Sequence, residues 1–265
     1  MFREMTLGQY YHRESVIHKL DPRVKLAGTL IFVISLFLRK SIPGLLCATI
    51  FLAVVIFLAK IPAGMIIRGV KPLLFIIFFS ALFNLFGTKG TVLISFWHFS
   101  VTKEGLWMAS FLVIRLIYLV MGTSIMTYTT TPRRLTDGLE ESLGLLNKVR
   151  IPVHEIAMIM SIALRFIPIL TEELDKIMKA QMSRGASFDE GNLFQKARQI
   201  IPVLVPLFVS SVRRASELAY AMEARGYHGG SGRTRMHPLR YERRDYLGYG
   251  ILLSYLLLMI ILSRL

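Results

Sequence analysis

The sequence predicts an all-α, polytopic membrane protein. It is expected to have about five transmembrane helices and a large cytoplasmic segment of long amphipathic helices. Three observations carry this. Of 265 residues, 54% are hydrophobic and the mean hydropathy is +0.53, more apolar than a soluble domain of this length ordinarily is. The apolar residues are clumped into runs near membrane-spanning length. The 32 Lys and Arg, against 17 Asp and Glu, gather between those runs and leave a net charge of +15. A charge this basic also suits nucleic acid, but the chain has no zinc-finger spacing, RNA-binding aromatic motif or basic heptad. Cytoplasmic enrichment of cations explains it better.

A helix needs about 20 mostly apolar residues to cross the hydrocarbon core. The first span opens at Asp21-Pro22, where Asp can accept from free N–H groups and Pro suits the first helical position. Its uncharged run, residues 26–38, is short, so Arg23, Lys25, Arg39 and Lys40 are expected to snorkel at its ends. Further spans are expected over 42–59, 72–86, 106–128 and 246–262. The loop 87–105, with Trp97 and Phe99, is suited to the membrane interface. Met1 to Leu20 has no apolar core followed by a small-residue cleavage site, so the first span is expected to act as the insertion signal.

Charge assigns the sides. With the N-terminus inside, segments 1–25, 60–71 and 131–244 are cytoplasmic and hold 5, 3 and 18 Lys and Arg. The outer segments hold five, namely Arg39, Lys40, Lys89, Lys103 and Arg264. The division is therefore a membrane domain over 1–130 with four spans, cytoplasmic helices over 131–244, and a last span within 245–265.

Segment 131–244 is too long for a plain loop and too apolar for disorder. Thr131-Pro132 starts a helix reaching about Asn147. Pro152 starts a second, reaching Arg184, with a kink expected at Pro168. After a break over 185–191, Asn192 can cap a third helix that passes Pro202 and Pro206 and reaches Arg225, followed by a break over 226–232. Residues 151–170 and 200–212 resemble spans but read as buried or interfacial helices. The distal halves are amphipathic: Leu170, Leu174, Ile177, Met178 and Met182 share one face. Such faces pack on each other or on the bilayer, or dock another membrane protein.

Both long helices end alike, in Ser183-Arg184-Gly185 and Ala224-Arg225-Gly226. Gly past a helix end accepts the left-handed conformation, and a cation suits the dipole's negative end. Alone, each Arg-Gly is a helix terminator. Together, after arms of roughly 25–30 Å, they present two guanidinium groups to the cytoplasm, each suited to bidentate pairing with carboxylates on a partner.

With these tips, Leu20-Asp21-Pro22-Arg23-Val24-Lys25 and the stretch from Thr131-Pro132 through Leu135-Thr136-Asp137-Gly138-Leu139, the chain resembles the transmembrane T component of energy-coupling factor (ECF) transporters, the EcfT/CbiQ-like family. The family motif is usually written Ala-Arg-Gly; the first copy here carries Ser183, which keeps the position small. The resemblance implies two cytoplasmic ABC-type ATPase subunits, each receiving one Arg-Gly tip, and a membrane-embedded substrate-binding S component bound by helix faces of the same segment. It implies that ATP-driven motion of the tips topples the S component and releases a vitamin or transition-metal ion inside the cell. Arg184 and Arg225 would then make the ATPase contacts, with Ser183 and Ala224 allowing close approach and Gly185 and Gly226 ending the helices.

The rival classes are an unrecognised membrane-embedded enzyme and a self-sufficient carrier. His154-Glu155 has no second His at helical spacing, the adjacent acids Glu140-Glu141 and Glu172-Glu173 diverge, and Ser210-Ser211 lacks triad partners. No catalytic residue, cofactor or metal site is assigned; the lone Cys47 reads as a small buried hydrophobe. Arg115 within the fourth span is expected to pair with Asn84 or to snorkel.

Overall fold

The computed structural model describes residues 10–38, 41–88, 90–96, 99–144, 152–188, 192–229 and 238–264. The chain forms two compact units, residues 1–142 with 239–265, and residues 143–238. Arg39, Lys40, Lys89, Trp97 and the helix expected over 145–147 lie outside the described residues.

The first unit is built from α1 (Val16–Lys19), α2 (Pro22–Leu38), α3 (Ile42–Ala59), α4 (Ala63–Val70), α5 (Leu74–Gly87), α6 (Lys103–Thr129), α7 (Pro132–Ser142) and α10 (Arg243–Arg264). A 3-10 turn, Lys71–Leu73, joins α4 to α5. Pro72 has no N–H for the Arg68 carbonyl, so the ladder tightens there without ending. The third apolar element thus runs from Ala63 to Gly87, longer than the expected 72–86, and takes in part of the expected cytoplasmic loop. The loop expected over 87–105 contains an antiparallel hairpin, Val92–Phe96 with Phe99–Thr102. Its β-branched Val92, Ile94 and Val101 favour strands, but Trp97-His98 carries none of the Asn-Gly turn chemistry that flags a hairpin.

Among the described residues, five helices are long and apolar enough to cross a membrane: Ile42–Ala59, Ala63–Gly87, Lys103–Thr129, Val153–Ser183 and Arg243–Leu262. This is a multi-pass membrane architecture. Four of the five match expected spans. The fifth is the helix read as buried or interfacial. The expected first span, α2, has 17 residues, roughly 25 Å at about 1.5 Å per residue.

α2 packs on α6, α7 and α10, and α5 packs on α6. Apolar contacts are reinforced by hydroxyl bonds that need no water. Tyr255 stacks on Phe51 at 4.2 Å between centroids and bonds the Ser35 hydroxyl at 2.8 Å. Thr49 bonds Tyr118 at 2.7 Å, and Tyr128 donates to the Met65 carbonyl at 3.1 Å. Close approach fixes two glycines: a Cβ on Gly122 would meet the Phe32 ring at 2.6 Å, and one on Gly138 would meet Pro22 at 2.9 Å.

The ends of α2, α6, α7 and α10 meet in a buried polar cluster. Asp21 caps α2 as expected, accepting from the Arg23 N–H at 2.8 Å. The expectation that Arg23 and Lys25 snorkel is corrected. Lys25 is buried and donates to the carbonyls of His18 and Thr129 at 3.2 and 2.9 Å. Arg23 makes two bonds to Asp21, at 3.0 and 2.9 Å, pairs with Glu141, and lies 3.7 Å over the Tyr241 ring. Asp245, 2% exposed, accepts from the backbone N–H of both Asp21 and Glu242 at 2.8 Å, tying α10 to α2. Short loops draw these cations inward, where carbonyls and carboxylates replace water.

Arg115 does not face Asn84, which donates to the Ser80 carbonyl of its own helix. Its guanidinium lies 5.3 Å over Phe37 and 5.9 Å over Phe111. Its Nε is buried with no hydrogen-bond partner among the described residues.

Among the described residues, the second unit is built on α8 (Val153–Ser183) and α9 (Leu193–Ala224). Pro168 lies inside α8, and Pro202 and Pro206 lie inside α9, as expected. Asn192 caps α9 in a capping box with Gln195.

Candidate functional site

The two helix ends of the second unit share one backbone pattern, and their arginine caps agree to within a few degrees. Arg184 closes α8 with φ −91° and ψ 7°; Arg225 closes α9 with φ −89° and ψ 11°. The next residues, Gly185 and Gly226, are left-handed, at φ 91° and 71°. A Cβ at either would meet nothing within 4 Å, so backbone conformation alone requires glycine there. Ala186 donates to the Gln181 carbonyl and Gly185 to that of Met182, each at 3.0 Å. Tyr227 donates to Met222 at 3.0 Å and Gly226 to Glu223 at 2.9 Å. Both ends are therefore Schellman motifs with arginine at the same cap position.

Ser183, Arg184, Gly185, Ala224, Arg225 and Gly226 are all exposed. Ser183 turns its hydroxyl back to the Lys179 carbonyl at 3.0 Å, so it adds no free polar group to its tip. Neither Arg184 nor Arg225 has a side-chain hydrogen bond or ion pair among the described residues. Each offers an open guanidinium fork beside a residue of small volume.

Cross-helix bonds set the relation between the tips. Glu173 of α8 accepts from Ser210 at 2.6 Å and from Arg214 at 2.7 and 3.1 Å. Eight residues further along α8, Gln181 donates to the Pro202 carbonyl at 3.2 Å, eight residues back along α9 from Ser210. That carbonyl is free because Pro206 has no N–H to give it. The helices are thus antiparallel, and the register carries Arg184 and Arg225 to opposite ends of the pair. At about 1.5 Å per residue the tips lie roughly 40 Å apart along it.

Between the tips runs an apolar cleft of about 250 Å³, lined by Ile162, Phe166, Leu170, Ala215, Leu218 and Met222 among others. Beside it stand exposed apolar side chains, including Ile159 on α8 and Phe208, Val212 and Tyr220 on α9.

Sequence reading found both tips through the repeated Arg-Gly. It set Glu173 aside as one of two diverging acids and Ser210 as lacking triad partners, and missed that Glu173 accepts from both Ser210 and Arg214, which only the helix register reveals. No group of three or more His, Cys, Asp or Glu is placed to hold a metal ion among the described residues.

Residues 13–237 match the CbiQ family, described as cobalt transport protein. The chain is 48% identical over 263 residues, covering 99% of its length and 98% of the relative, to the energy-coupling factor transporter transmembrane protein EcfT of Ruminiclostridium cellulolyticum. It is 49% identical over 249 residues to the protein of that name from Clostridium kluyveri, covering 93% and 92% of the two chains. The Bacillus subtilis protein is 43% identical over 246 residues, covering 92% and 93%.

Proposed function

Since the chain belongs to the CbiQ family, and so to the transmembrane components of energy-coupling factor transporters, we propose that it couples two cytoplasmic ABC-type ATPases to a membrane-embedded S component for uptake of a vitamin or transition-metal ion. Arg184 and Arg225 each seat in a carboxylate-lined groove of one ATPase. Residues 131–244 act as the coupling segment, and the apolar surface of α8 and α9 receives the S component. The chain itself catalyses no reaction.

One observation carries this reading: two arginine caps of matching geometry stand at opposite ends of one antiparallel helix pair. Matching ends suit matching partners, and a separation of roughly 40 Å leaves room for a folded subunit at each. An enzyme site would instead bring its polar groups together.

The N-terminus and residues 131–244 lie in the cytoplasm in this proposal, so α8 does not cross. Its partner α9 supports this, since it falls short of the composition needed to span and carries Arg213, Arg214, Glu217 and Glu223. Helices bonded together over residues 173–181 and 202–214 share one environment.

The test is copurification of the ATPases with the Arg184→Ala/Arg225→Ala chain, combined with labelling of single cysteines placed at 184 and 225. Loss of the ATPases and labelling from the cytoplasmic side are expected. Retained ATPases with normal uptake, or labelling from outside, overturns the proposal. Uptake into liposomes by this chain alone would make it a carrier.

A further inference from the structure

The second unit leaves the first after residue 142 and rejoins it at residue 239. Glu141 lies one residue before the first point and Tyr241 two residues after the second. Both are held by one side chain. Arg23 pairs through Nη1 with Glu141, and its guanidinium plane lies 3.7 Å over the Tyr241 ring. Its remaining nitrogens, Nε and Nη2, bond both oxygens of Asp21. Asp21 is fixed in turn by its backbone N–H on Asp245, and Asp245 also holds the Glu242 N–H next to Tyr241. The Arg23 side chain is 13% exposed and that of Asp21 4% exposed.

A planar fork is required here. Two edges of the guanidinium meet different carboxylates while its face meets a ring, which an ammonium cannot reproduce. Bond direction matters as much as charge, since a lysine would satisfy at most part of the set.

We infer that Arg23 is a positioning residue that fixes both attachment points of the coupling unit to the membrane helices, so that motion of the tips reaches the spans. This rests on the coupling function proposed above. Loose attachments would let the tips move while the spans stand still, so hydrolysis would continue and transport would fall. Loss of a merely stabilising contact would lower the amount of complex and leave the transport achieved per ATP unchanged.

The experiment uses the whole complex, with both ATPases and a riboflavin-binding S component, in proteoliposomes. ATP hydrolysis and uptake of radiolabelled riboflavin are measured together. Arg23→Gln is expected to keep all subunits and hydrolyse ATP within about twofold of the parent, while riboflavin moved per ATP falls about tenfold or more. Arg23→Lys is expected not to restore the ratio; full restoration by lysine would overturn the requirement for a fork. An unchanged ratio in Arg23→Gln overturns the inference. Should Arg23→Gln fail to accumulate, the double variant Glu141→Ala/Tyr241→Leu removes both attachments and leaves the contacts among Arg23, Asp21 and Asp245 in place. It must show the same loss, and a parental ratio in it overturns the inference. Arg184→Ala/Arg225→Ala, measured alongside, separates the two ideas. If it keeps its ATPases and its uptake, the coupling function falls. If it loses them while the Arg23 variants match the parent, only the attachment role falls.

Discussion

Arg23 in the first unit and Arg184 in the second carry the same group into opposite surroundings. Around Arg23, two carboxylates and an aromatic face use the edges and the plane of the guanidinium. Around Arg184 nothing is bonded among the described residues, although Glu172 and Glu173 lie on the same helix. Lys25 and Asp245 extend the first pattern, each bonding backbone groups from two segments. Arg225 repeats the second. The polar cluster of the first unit is taken up in closing that unit's own fold. The second has kept its helix ends and an apolar face unused. A stable protein tolerates such unused surface when a partner covers it.

The sharpest way to break this contrast is at the tips. Replacing both arginines, Arg184→Ala/Arg225→Ala, should leave the stability of the isolated chain in detergent, followed by thermal melting, within about 0.5 kcal/mol of the parent, because neither side chain supports the fold. Association with the ATPases should weaken by about 2–5 kcal/mol for each buried pair lost, read as the loss of both subunits on affinity purification. A large drop in melting temperature would show that the tips serve the fold after all.

Asp245→Ala should do the reverse. It strands the backbone N–H groups of Asp21 and Glu242, at about 1–3 kcal/mol each, and should lower the thermal stability of the isolated chain. An unchanged melting curve would mean that the polar cluster is not what closes the first unit.

Glycines sharpen the contrast further. Gly138→Ala forces a Cβ to 2.9 Å from Pro22 inside a packed unit and should cost about 1–3 kcal/mol of overall stability. Gly226→Ala meets no atom, and its cost, about 1 kcal/mol, comes from the left-handed backbone alone. Hydrogen exchange should therefore quicken in the last turn of α9 without spreading to the first unit. Equal effects from the two substitutions would erase the distinction.

How far the sequence reached follows the same line. The tips were legible because helix termination is local chemistry: an amphipathic repeat, a cation and a glycine suffice to place Arg184 and Arg225 at helix ends. Spans 42–59 and 106–128 were legible because composition and length decide them. The polar cluster was not, because Asp21 and Asp245 lie 224 residues apart and no local pattern pairs them. Lys25 was read as snorkelling since a lysine beside a short span usually reaches for water; the short helix α1, which carries His18, instead brings a carbonyl to it. The antiparallel register of α8 and α9 was hidden for a similar reason. It rests on Glu173, Ser210 and Arg214, and on a carbonyl that only Pro206 leaves free.

The smallest expected effect tests whether the closed unit is also closed to protons. His18 is buried, and its Nε2 lies 3.0 Å from the Tyr11 carbonyl, which can only accept, so that nitrogen carries the proton. Nδ1, 2.7 Å from the Ser15 hydroxyl, then accepts, and the ring is neutral and satisfied. Burial pushes the His18 pKa below its usual 6.5; the Tyr11 carbonyl opposes that shift, while the Lys25 ammonium and His12 add to it. An unfolded chain binds this proton more readily than the folded one. The stabilisation is therefore complete above about pH 6.5 and is lost as the pH falls through the lower folded value. Melting temperatures of the parent and of His18→Gln, taken from pH 8 to pH 5, should converge toward the acid end. Parallel curves would show that His18 takes up its proton as easily inside the fold as outside it. The Arg184→Ala/Arg225→Ala chain, unchanged in its first unit, should follow the parent curve throughout.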